Sequence, residues 1–234
     1  RRLRYLALEE ERRRVGADFI LTAHHAGDLA EDMLMRLLRG TGWPALGGMS
    51  PRDDERHLLR PLLHTDPLRL RRLLSLLGLP HYEDESNADT RYTRNRIRHE
   101  VLPILRRENP SLDASLIRLA RLAQTDAAFF EEELGKALMT TPWIEEHSEN
   151  GTAIILPEKL LQSLPAALRL RLYMKAVRHI ARGSGGQARA EALWKLDEAW
   201  IERGRPRVFQ MPGGLTLSVR KGCVRCAPAE RKTL

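Results

Sequence analysis

Residues 18–49 contain the feature that most restricts how this chain can fold. A short apolar run near the start of this stretch predicts a strand over 18–23, and a helical pattern follows over 28–39. Asp28 and Glu31 lie three residues apart on the first turn of that helix. A buried strand that leads polar side chains to a helix N-terminus is typical of a ligand site in an open α/β sheet.

The polar residues of this stretch are candidates for a binding or catalytic site. His24 and His25 follow the predicted strand, and the carboxylates of Asp28 and Glu31 come directly after them. Such a group could bind a metal ion, a nucleotide phosphate through a metal, or an amine. The alternative interpretation is structural: Asp28 caps the helix, Glu31 is solvated, and the histidines end the strand.

The order of predicted elements indicates two domains of different composition. A helix over 1–15, the strand and the helix over 28–39 fit a layered α/β domain over 1–109. This part has too few strands for a full sheet and the chain begins with Arg, so we expect that it starts inside a longer protein. After Asn109 and Pro110 the pattern becomes mostly helical, and this second domain covers 110–234.

The remaining elements are predicted from periodicity and from helix start and stop signals. Further helices are expected over 67–77, 93–103, 111–139, 158–163, 165–182 and 187–203, short strands over 154–156, 207–211, 215–219 and 223–226, and a loop over 142–151. Asp66 or Thr65 is expected to cap the helix that starts at Pro67. The fold class is therefore α/β, followed by a mostly helical domain with a small terminal β-sheet.

Composition restricts the partners and the compartment. The net charge is +8 and most of the cations are arginine, which suits a phosphate-rich partner such as RNA, although a codon bias toward arginine would give the same ratio. No apolar run approaches the ~20 residues of a membrane span. Cys223 and Cys226 are too few for a structural zinc site, so we interpret them as reduced thiols of a cytoplasmic protein.

A basic cluster opens the predicted helix at 93. Arg94 and Arg98 share one face, and Arg91 could join them from the preceding turn. Cations near a helix N-terminus oppose the helix dipole, so their presence favours an anion site over a solvated basic face.

Three motifs in this order and spacing resemble the tRNA(Ile)-lysidine synthetase family: TAHHAGDLAEDMLMRLLRGTG over 22–42, RPLL over 60–63, and EDESNADTRYTRNRIRHEVLP over 83–103. The resemblance is dense over 1–109 and weaker over 110–234. This family belongs to the N-type ATP pyrophosphatases, also called PP-loop enzymes. The resemblance implies the C-terminal part of a Rossmann-like PP-loop ATPase domain, followed by a tRNA-binding domain.

The resemblance also implies a reaction. ATP adenylates oxygen 2 of the wobble cytidine of tRNA(Ile) with the anticodon CAU, and the ε-amine of L-lysine then displaces AMP at carbon 2. The lysidine formed changes codon reading from AUG to AUA. ATP and Mg²⁺ are the implied cofactors, the enzyme is a ligase forming a carbon–nitrogen bond, and the sequence leaves a homodimer open.

Site residues are carried over by their position in the motifs. His24, Asp28 and Glu31 are implied as catalytic, with Asp28 also a candidate Mg²⁺ ligand. The implied ATP contacts are Arg4, His24, Arg94 and Arg98, and the implied tRNA contacts are Arg36, Arg39, Arg91 and Asn95.

Two departures from the family pattern matter. The SGGxDS loop that cradles ATP does not occur in these 234 residues, so we expect the chain as given to be inactive. Gly27 stands where the family's second motif usually has its first Asp, so position 27 has no ligand role. Asp32 replaces the Thr of the same motif.

Two other functions remain open. A thiolase-like PP-loop enzyme would need clustered cysteines in its catalytic domain, and residues 1–110 contain none. A tRNA-binding module without catalysis is compatible with the absent phosphate loop.

Overall fold

The structure of the protein is a computed structural model that describes residues 2–80, 89–148, 151–181, 190–203, 207–211 and 213–229. The chain divides into two compact units, Arg1–Ala127 and Ala128–Leu234, here called unit 1 and unit 2. This division falls inside one helix, whereas the sequence-based boundary at 109 lies in the turn before it. The division at 109 into catalytic and tRNA-binding parts stays a prediction.

Unit 1 combines helices with a small sheet. The helices are α1 (Arg2–Val15), α2 (Ala26–Leu38), α3 (Pro67–Leu76), α4 (Thr93–Arg96), α5 (Leu102–Glu108) and the first half of α6 (Leu112–Thr140), with a 3₁₀ turn at Ala45–Gly47 and a π-helical turn at Ile97–Val101. The strands are β1 (Ile20–Leu21), β2 (Arg52–Asp53) and β3 (Leu58–Leu59), in the order β1-β3-β2. β1 and β3 are parallel, and β2 is antiparallel to β3.

Most helix boundaries follow from local chemistry. Gly16 adopts a positive φ of 70° after α1, a conformation that glycine reaches without strain. The side chain of Asp66 accepts a hydrogen bond from the amide of Leu68 and caps α3, and Pro67 occupies the first turn. This confirms the predicted start of α3.

The helical run that starts at Thr93 is longer than predicted. The sequence prediction ended it near Pro103, but the chain continues through α5 to Glu108. A proline ring normally clashes with the preceding turn of an α-helix and removes one hydrogen bond. The π-helical turn Ile97–Val101 lies directly before α5 and widens the helix there, so Pro103 sits in the first turn of the next segment.

The parallel pair of strands positions the functional residues. β1 covers only two of the six residues predicted as strand, although the amide of Thr22 still donates to the carbonyl of Leu59 at 2.9 Å. The carboxyl ends of β1 and β3 therefore meet at one edge of the sheet. The 22–24 segment and the N-terminus of α2 follow from that edge, as expected for a ligand site of an open α/β sheet.

Two small apolar clusters hold unit 1 together around α2. One contains Leu29, Met33, Met49, Leu63 and Ala120, and the other contains Ala30, Ile97 and Leu102. Because α2 contributes to both, it is the central helix of this unit.

Unit 2 is an antiparallel sheet packed with helices. Its strands are β4 (Ile144–Ser148), β5 (Gly151–Leu156), β6 (Arg207–Met211), β7 (Leu215–Arg220) and β8 (Cys223–Pro228), in the order β4-β5-β8-β7-β6. Its helices are the second half of α6, α7 (Glu158–Gln162), α8 (Ala166–Ala181) and α9 (Ala190–Ile201). This confirms the terminal strands and the helices predicted over 158–163, 165–182 and 187–203 as far as the structure describes them, since residues 182 and 187–189 lie outside the described ranges.

The prediction of a loop over 142–151 was wrong. β4 occupies 144–148 and pairs with β5 along its whole length. Every residue of β4 is exposed, so the strand shows no alternation of apolar and polar side chains. It is an edge strand held by backbone hydrogen bonds, which side-chain pattern does not reveal.

A buried polar network crosses the core of unit 2. Arg169 donates two hydrogen bonds to the carboxylate of Asp197, at 2.7 and 2.8 Å, and a third to the carbonyl of Leu164. The hydroxyl of Tyr173 donates to the same carboxylate at 2.9 Å. Burial, followed by the charge of Asp197, raises the pKa of Tyr173, so its hydroxyl stays protonated as a donor.

Cys223 and Cys226 are free thiols, as predicted. Burial raises the pKa of Cys226 to about 12. Within the described ranges, none of the helices is both long and apolar enough to cross a membrane.

We predict that Asp197→Ala lowers the free energy of unfolding by about 3–5 kcal/mol, the cost of leaving a buried cation without its partner. The side chain of Arg169 is only 11% exposed and cannot recover the lost contact through water. Urea denaturation followed by circular dichroism measures the change. The matched control is Glu198→Ala at the exposed neighbouring position, expected to change stability by less than about 0.5 kcal/mol. Equal effects of the two variants would contradict the prediction.

Candidate active site

A cavity of about 350 Å³ lies where α1, the end of β1 and the start of α2 meet. It is lined by Arg4, Tyr5, Leu8, Thr22, Ala23, His24 and Asp28. The volume is in the usual range for small-ligand sites, which begins near 300 Å³. A guanidinium, an imidazole and a carboxylate therefore face one space.

His24 is oriented by its neighbour on the strand end. Its Nδ1 lies 2.8 Å from the hydroxyl of Thr22, whose amide is fixed to the carbonyl of Leu59. Because this hydrogen bond fixes one ring nitrogen, it also restricts the direction in which the other ring nitrogen can bind a ligand or transfer a proton.

Asp28 belongs to a capping box at the start of α2. The amide of His25 donates to Asp28 Oδ2 at 3.0 Å, and the amide of Gly27 donates to His25 Nδ1 at 3.1 Å. His25 Nδ1 therefore carries no proton, and His25 Nε2 lies 3.5 Å from the same Asp28 oxygen. Asp28 thus caps α2, as the structural interpretation predicted, and it also lines the cavity. The same interpretation was wrong for Glu31, which is buried rather than solvated. The ligand-binding interpretation stays a prediction.

Gly27 has a steric role in this arrangement. A Cβ at position 27 would lie 3.0 Å from Cε1 and 3.2 Å from Nδ1 of His25. The absence of a side chain therefore lets the His25 ring fold back over the first turn of α2. This gives a physical reason for glycine where the family pattern usually has Asp.

Four side chains form an ion cluster beside the cavity. Arg94 donates to Glu31 at 2.5 Å and to Asp28 at 2.7 Å, while Arg98 donates to Glu31 at 2.6 and 3.1 Å. Nη2 of Arg98, which donates to Glu31 at 3.1 Å, also lies 3.7 Å from Asp28 Oδ1. Glu31 is 3% exposed in its side chain, and its hydrogen bond raises the pKa of Arg98 further.

The cluster explains the basic residues at the start of the helical run. Arg94 and Arg98 oppose the helix dipole locally, but the carboxylates of Asp28 and Glu31 compensate them across the packing interface with α2. The two cations and two anions balance, so the cluster connects the two helices. Because Asp28 binds Arg94 in the cluster and also lines the cavity, it links the cluster to the cavity.

The residues predicted to contact tRNA lie apart from this cavity. Arg36 binds Asp32 at 2.9 Å and the carbonyl of Ala45 at 2.8 Å, so it connects the end of α2 to the following loop. Arg39 is exposed at the C-terminal cap of the same helix.

Arg91 and Asn95 belong to the turn that precedes α4. The guanidinium of Arg91 donates to both carboxylate oxygens of Asp89, and its side chain is 87% exposed. Asn95 is buried and donates to the carbonyl of Asp89. The DESN motif at 84–87 lies outside the described residues.

Sequence reasoning did not assign Tyr5, Leu8, Thr22 and Ala23 to the site. Leu8 lies one helical turn after Arg4 and Tyr5 adjoins it, so the helical period could have placed both beside the arginine. Thr22 directly follows β1, where residues at the carboxyl end of a parallel strand often reach a ligand.

The described residues contain no group of three or more His, Cys, Asp or Glu side chains close enough to hold a metal ion. Around the cavity, Asp28 supplies the carboxylate, and each of its oxygens already accepts a hydrogen bond. Mg²⁺ commonly binds through one or two carboxylates together with water and substrate phosphates. Asp28 therefore fits as one ligand of a shared site and does not form a complete one.

Known proteins resemble this chain over most of its length. Residues 1–105 match the PP-loop domain family (ATP_bind_3). The chain is 35% identical over 238 residues to the tRNA(Ile)-lysidine synthase of Salinispora arenicola, covering 98% of this chain and 68% of that protein. The chain belongs to the tRNA(Ile)-lysidine synthase family. Its unit 1 therefore carries a PP-loop domain with a Rossmann-like fold.

Other relatives carry the same description. The tRNA(Ile)-lysidine synthase of Nitratidesulfovibrio vulgaris is 44% identical over 234 residues, which cover 95% of this chain and 66% of that protein. That of Geobacter sulfurreducens is 39% identical, with 76% of this chain and 37% of that protein covered. The chain thus spans less than two thirds of the length of these relatives.

One solved structure shows a partial likeness. The U34-tRNA thiolase NcsA from Methanococcus maripaludis, with its [4Fe-4S] cluster, is 17% identical, with a TM-score of 0.41, and the match covers 52% of this chain and 42% of that one.

We predict that Glu31→Gln lowers the free energy of unfolding by about 3 kcal/mol, because it removes the shared anion of two partly buried arginines. Glu100→Gln is the matched control, since Glu100 is exposed on the same helical run. Thermal and urea unfolding of both variants measure the difference. A stability loss for Glu31→Gln no larger than that of the control would show that the cluster contributes little to the fold.

Proposed function

We propose that this protein is the ATP-dependent ligase that joins lysine to the wobble cytidine of tRNA(Ile) with the anticodon CAU. In the first step, oxygen 2 of the cytosine attacks the α-phosphorus of ATP and pyrophosphate leaves. In the second, the ε-amine of lysine attacks carbon 2, the bond to the adenylate oxygen breaks, and AMP leaves. Membership of the family supports the proposal, together with the convergence of Arg4, His24 and Asp28 on one cavity.

The cavity residues suit both steps. The triphosphate develops negative charge as pyrophosphate leaves, and Arg4 and His24 are the donors that face this space. The lysine amine must be bound as a cation and must lose a proton before it attacks. The carboxylate of Asp28 can hold the ammonium and accept that proton.

Arg94 is a better candidate for a phosphate contact than Arg98. Both are about one third exposed, but Arg94 donates a hydrogen bond to Asp28, which lines the cavity. Among the described residues, Nη1 of Arg94 makes no hydrogen bond, so the guanidinium has a donor left for an anion. Arg98 contacts mainly Glu31, and we assign it chiefly to the cluster.

Mg²⁺ would neutralise triphosphate charge and polarise the reacting phosphate. Asp28 is the residue that would hold it, shared with substrate oxygens. Glu31 acts on the site through Arg94, whose guanidinium it binds. Its own carboxylate is buried by Arg94 and Arg98.

The tRNA contacts divide by exposure. Arg39 and Arg91 are exposed and can reach a phosphate backbone. Arg36 and Asn95 are occupied by internal hydrogen bonds and support the surface that carries the contacts. Under the same proposal, we predict that residues 110–234 bind tRNA, that the protein is cytoplasmic and that it can form a homodimer.

The first test is Asp28→Asn in a form of the protein that includes the segment upstream of Arg1. We predict that lysidine formation falls by at least ~100-fold, the scale of losing a positioned proton acceptor and charge. Asp32→Asn on the same helix is the matched control, since Asp32 binds Arg36 away from the cavity. Near-normal turnover of Asp28→Asn, with control-like stability, would reduce Asp28 to a helix cap.

The second test concerns the phosphate loop. We propose that residues 1–234 alone do not support ATP–pyrophosphate exchange, because adenylation needs backbone amides of a glycine-rich loop around the β- and γ-phosphates. The glycines at 40–48 follow the C-terminus of α2, where the dipole repels anions. Restoring the upstream segment should restore tRNA-dependent exchange. Exchange by the short chain would contradict this, and no exchange by the long one would favour a tRNA-binding module.

A further inference from the structure

Side chains of α4 donate hydrogen bonds to the backbone carbonyls of residues 89–91, in the turn that precedes this helix. The carbonyl of Asp89 accepts from Asn95 at 2.8 Å, and those of Thr90 and Arg91 accept from Arg96 at 2.9 Å each. The carboxylate of Asp89 in turn accepts from the amide and guanidinium of Arg91 at 3.0 Å. Because side chains of the following helix fix this backbone, residues 89–92 form a rigid turn.

This rigid turn presents an aromatic ring to solvent. Tyr92 is 62% exposed, and its ring and hydroxyl make no hydrogen bond or ring contact to the described residues. The other described aromatic side chains of unit 1 do have partners: Tyr5 contacts Arg4, Phe19 contacts Arg52, and the indole of Trp43 donates to Asp126. The backbone of Tyr92 is ordered as the N-cap of α4 while its ring faces solvent.

The position of this ring relates it to the candidate active site. Arg94 lies two residues after Tyr92 and reaches Asp28 at the cavity. Arg91 directly precedes Tyr92 in the chain, and its side chain is 87% exposed. The turn therefore carries, next to each other in the chain, an exposed guanidinium and an exposed ring that has no hydrogen bond or ring contact among the described residues, two residues before an arginine of the ion cluster.

We infer that Tyr92 is a stacking platform for an unpaired RNA base, with Arg91 directed at the adjacent backbone. This rests on the proposed function and names the part of the surface that orients the RNA loop. Unpaired bases are recognised by stacking on aromatic rings, and a ring held by a fixed backbone loses little entropy on binding. A single ring flanked by a cation suits a base and its phosphate better than a protein surface, which would need a larger apolar patch.

The test is binding of an RNA stem–loop with CAU in its loop to the 234-residue chain, measured by fluorescence anisotropy at several salt concentrations. Stacking of one base is worth enough that Tyr92→Leu should weaken binding about 5- to 100-fold. The conservative variant Tyr92→Phe should stay within about 2-fold of the parent, since it keeps the ring. The dependence of log Kd on log salt should be unchanged in Tyr92→Leu, whereas Arg91→Ala should lower that slope by about one phosphate contact.

A second measurement reports stacking directly. A loop base replaced by 2-aminopurine should be quenched on binding to the parent and to Tyr92→Phe, but not to saturating Tyr92→Leu. Unchanged affinity and quenching in Tyr92→Leu would overturn the inference and leave the proposed function intact. Equal weakening by the Leu and Phe variants would also overturn it, because the hydroxyl would then be the contact. If the parent chain does not bind the stem–loop, the proposed RNA substrate fails as well.

Discussion

The ion cluster between α2 and the helical run at 93–108 is the interaction on which the candidate site depends. Four charges that would each be costly to bury alone are compensated by one another. The geometry that satisfies them also fixes the first turn of α2, and with it the carboxylate that faces the cavity. Stability and site geometry are therefore determined by the same contacts, so a substitution in the cluster changes both.

This coupling affects how activity data on such a site should be interpreted. Loss of turnover on removal of Glu31 would not distinguish a chemical role from displacement of Arg94, because the same oxygens hold that guanidinium. Asp28 is more informative, since it lines the cavity while its contribution to the cluster is smaller. The distinction rests on burial and contact geometry, which the spacing of two carboxylates along a helix does not contain.

Much of the fold was predictable because local chemistry determines it. The α3 cap at Asp66, the end of α1 at Gly16 and the terminal strands of unit 2 follow from turn residues and periodicity. β4 was missed because an edge strand with exposed side chains shows no alternation of apolar and polar residues. The continuation of the helix past Pro103 was missed because it depends on a π-helical turn. At the site, motif position predicted Arg4, His24 and Asp28 as site residues, and all three line the cavity. It did not predict that Asp28 and Glu31 pair with both arginines, because that pairing depends on tertiary packing.

The folded-back ring of His25 makes positions 25 and 27 an epistatic pair. A Cβ at residue 27 would stand 3.0 Å from the imidazole that caps α2, so a side chain there requires the ring to move by a few tenths of an ångström. The same ring nitrogen accepts the hydrogen bond from the amide of residue 27, so such a movement also changes the cap of the helix. The effect of replacing this glycine therefore depends on which residue occupies position 25 and on how far its side chain can move.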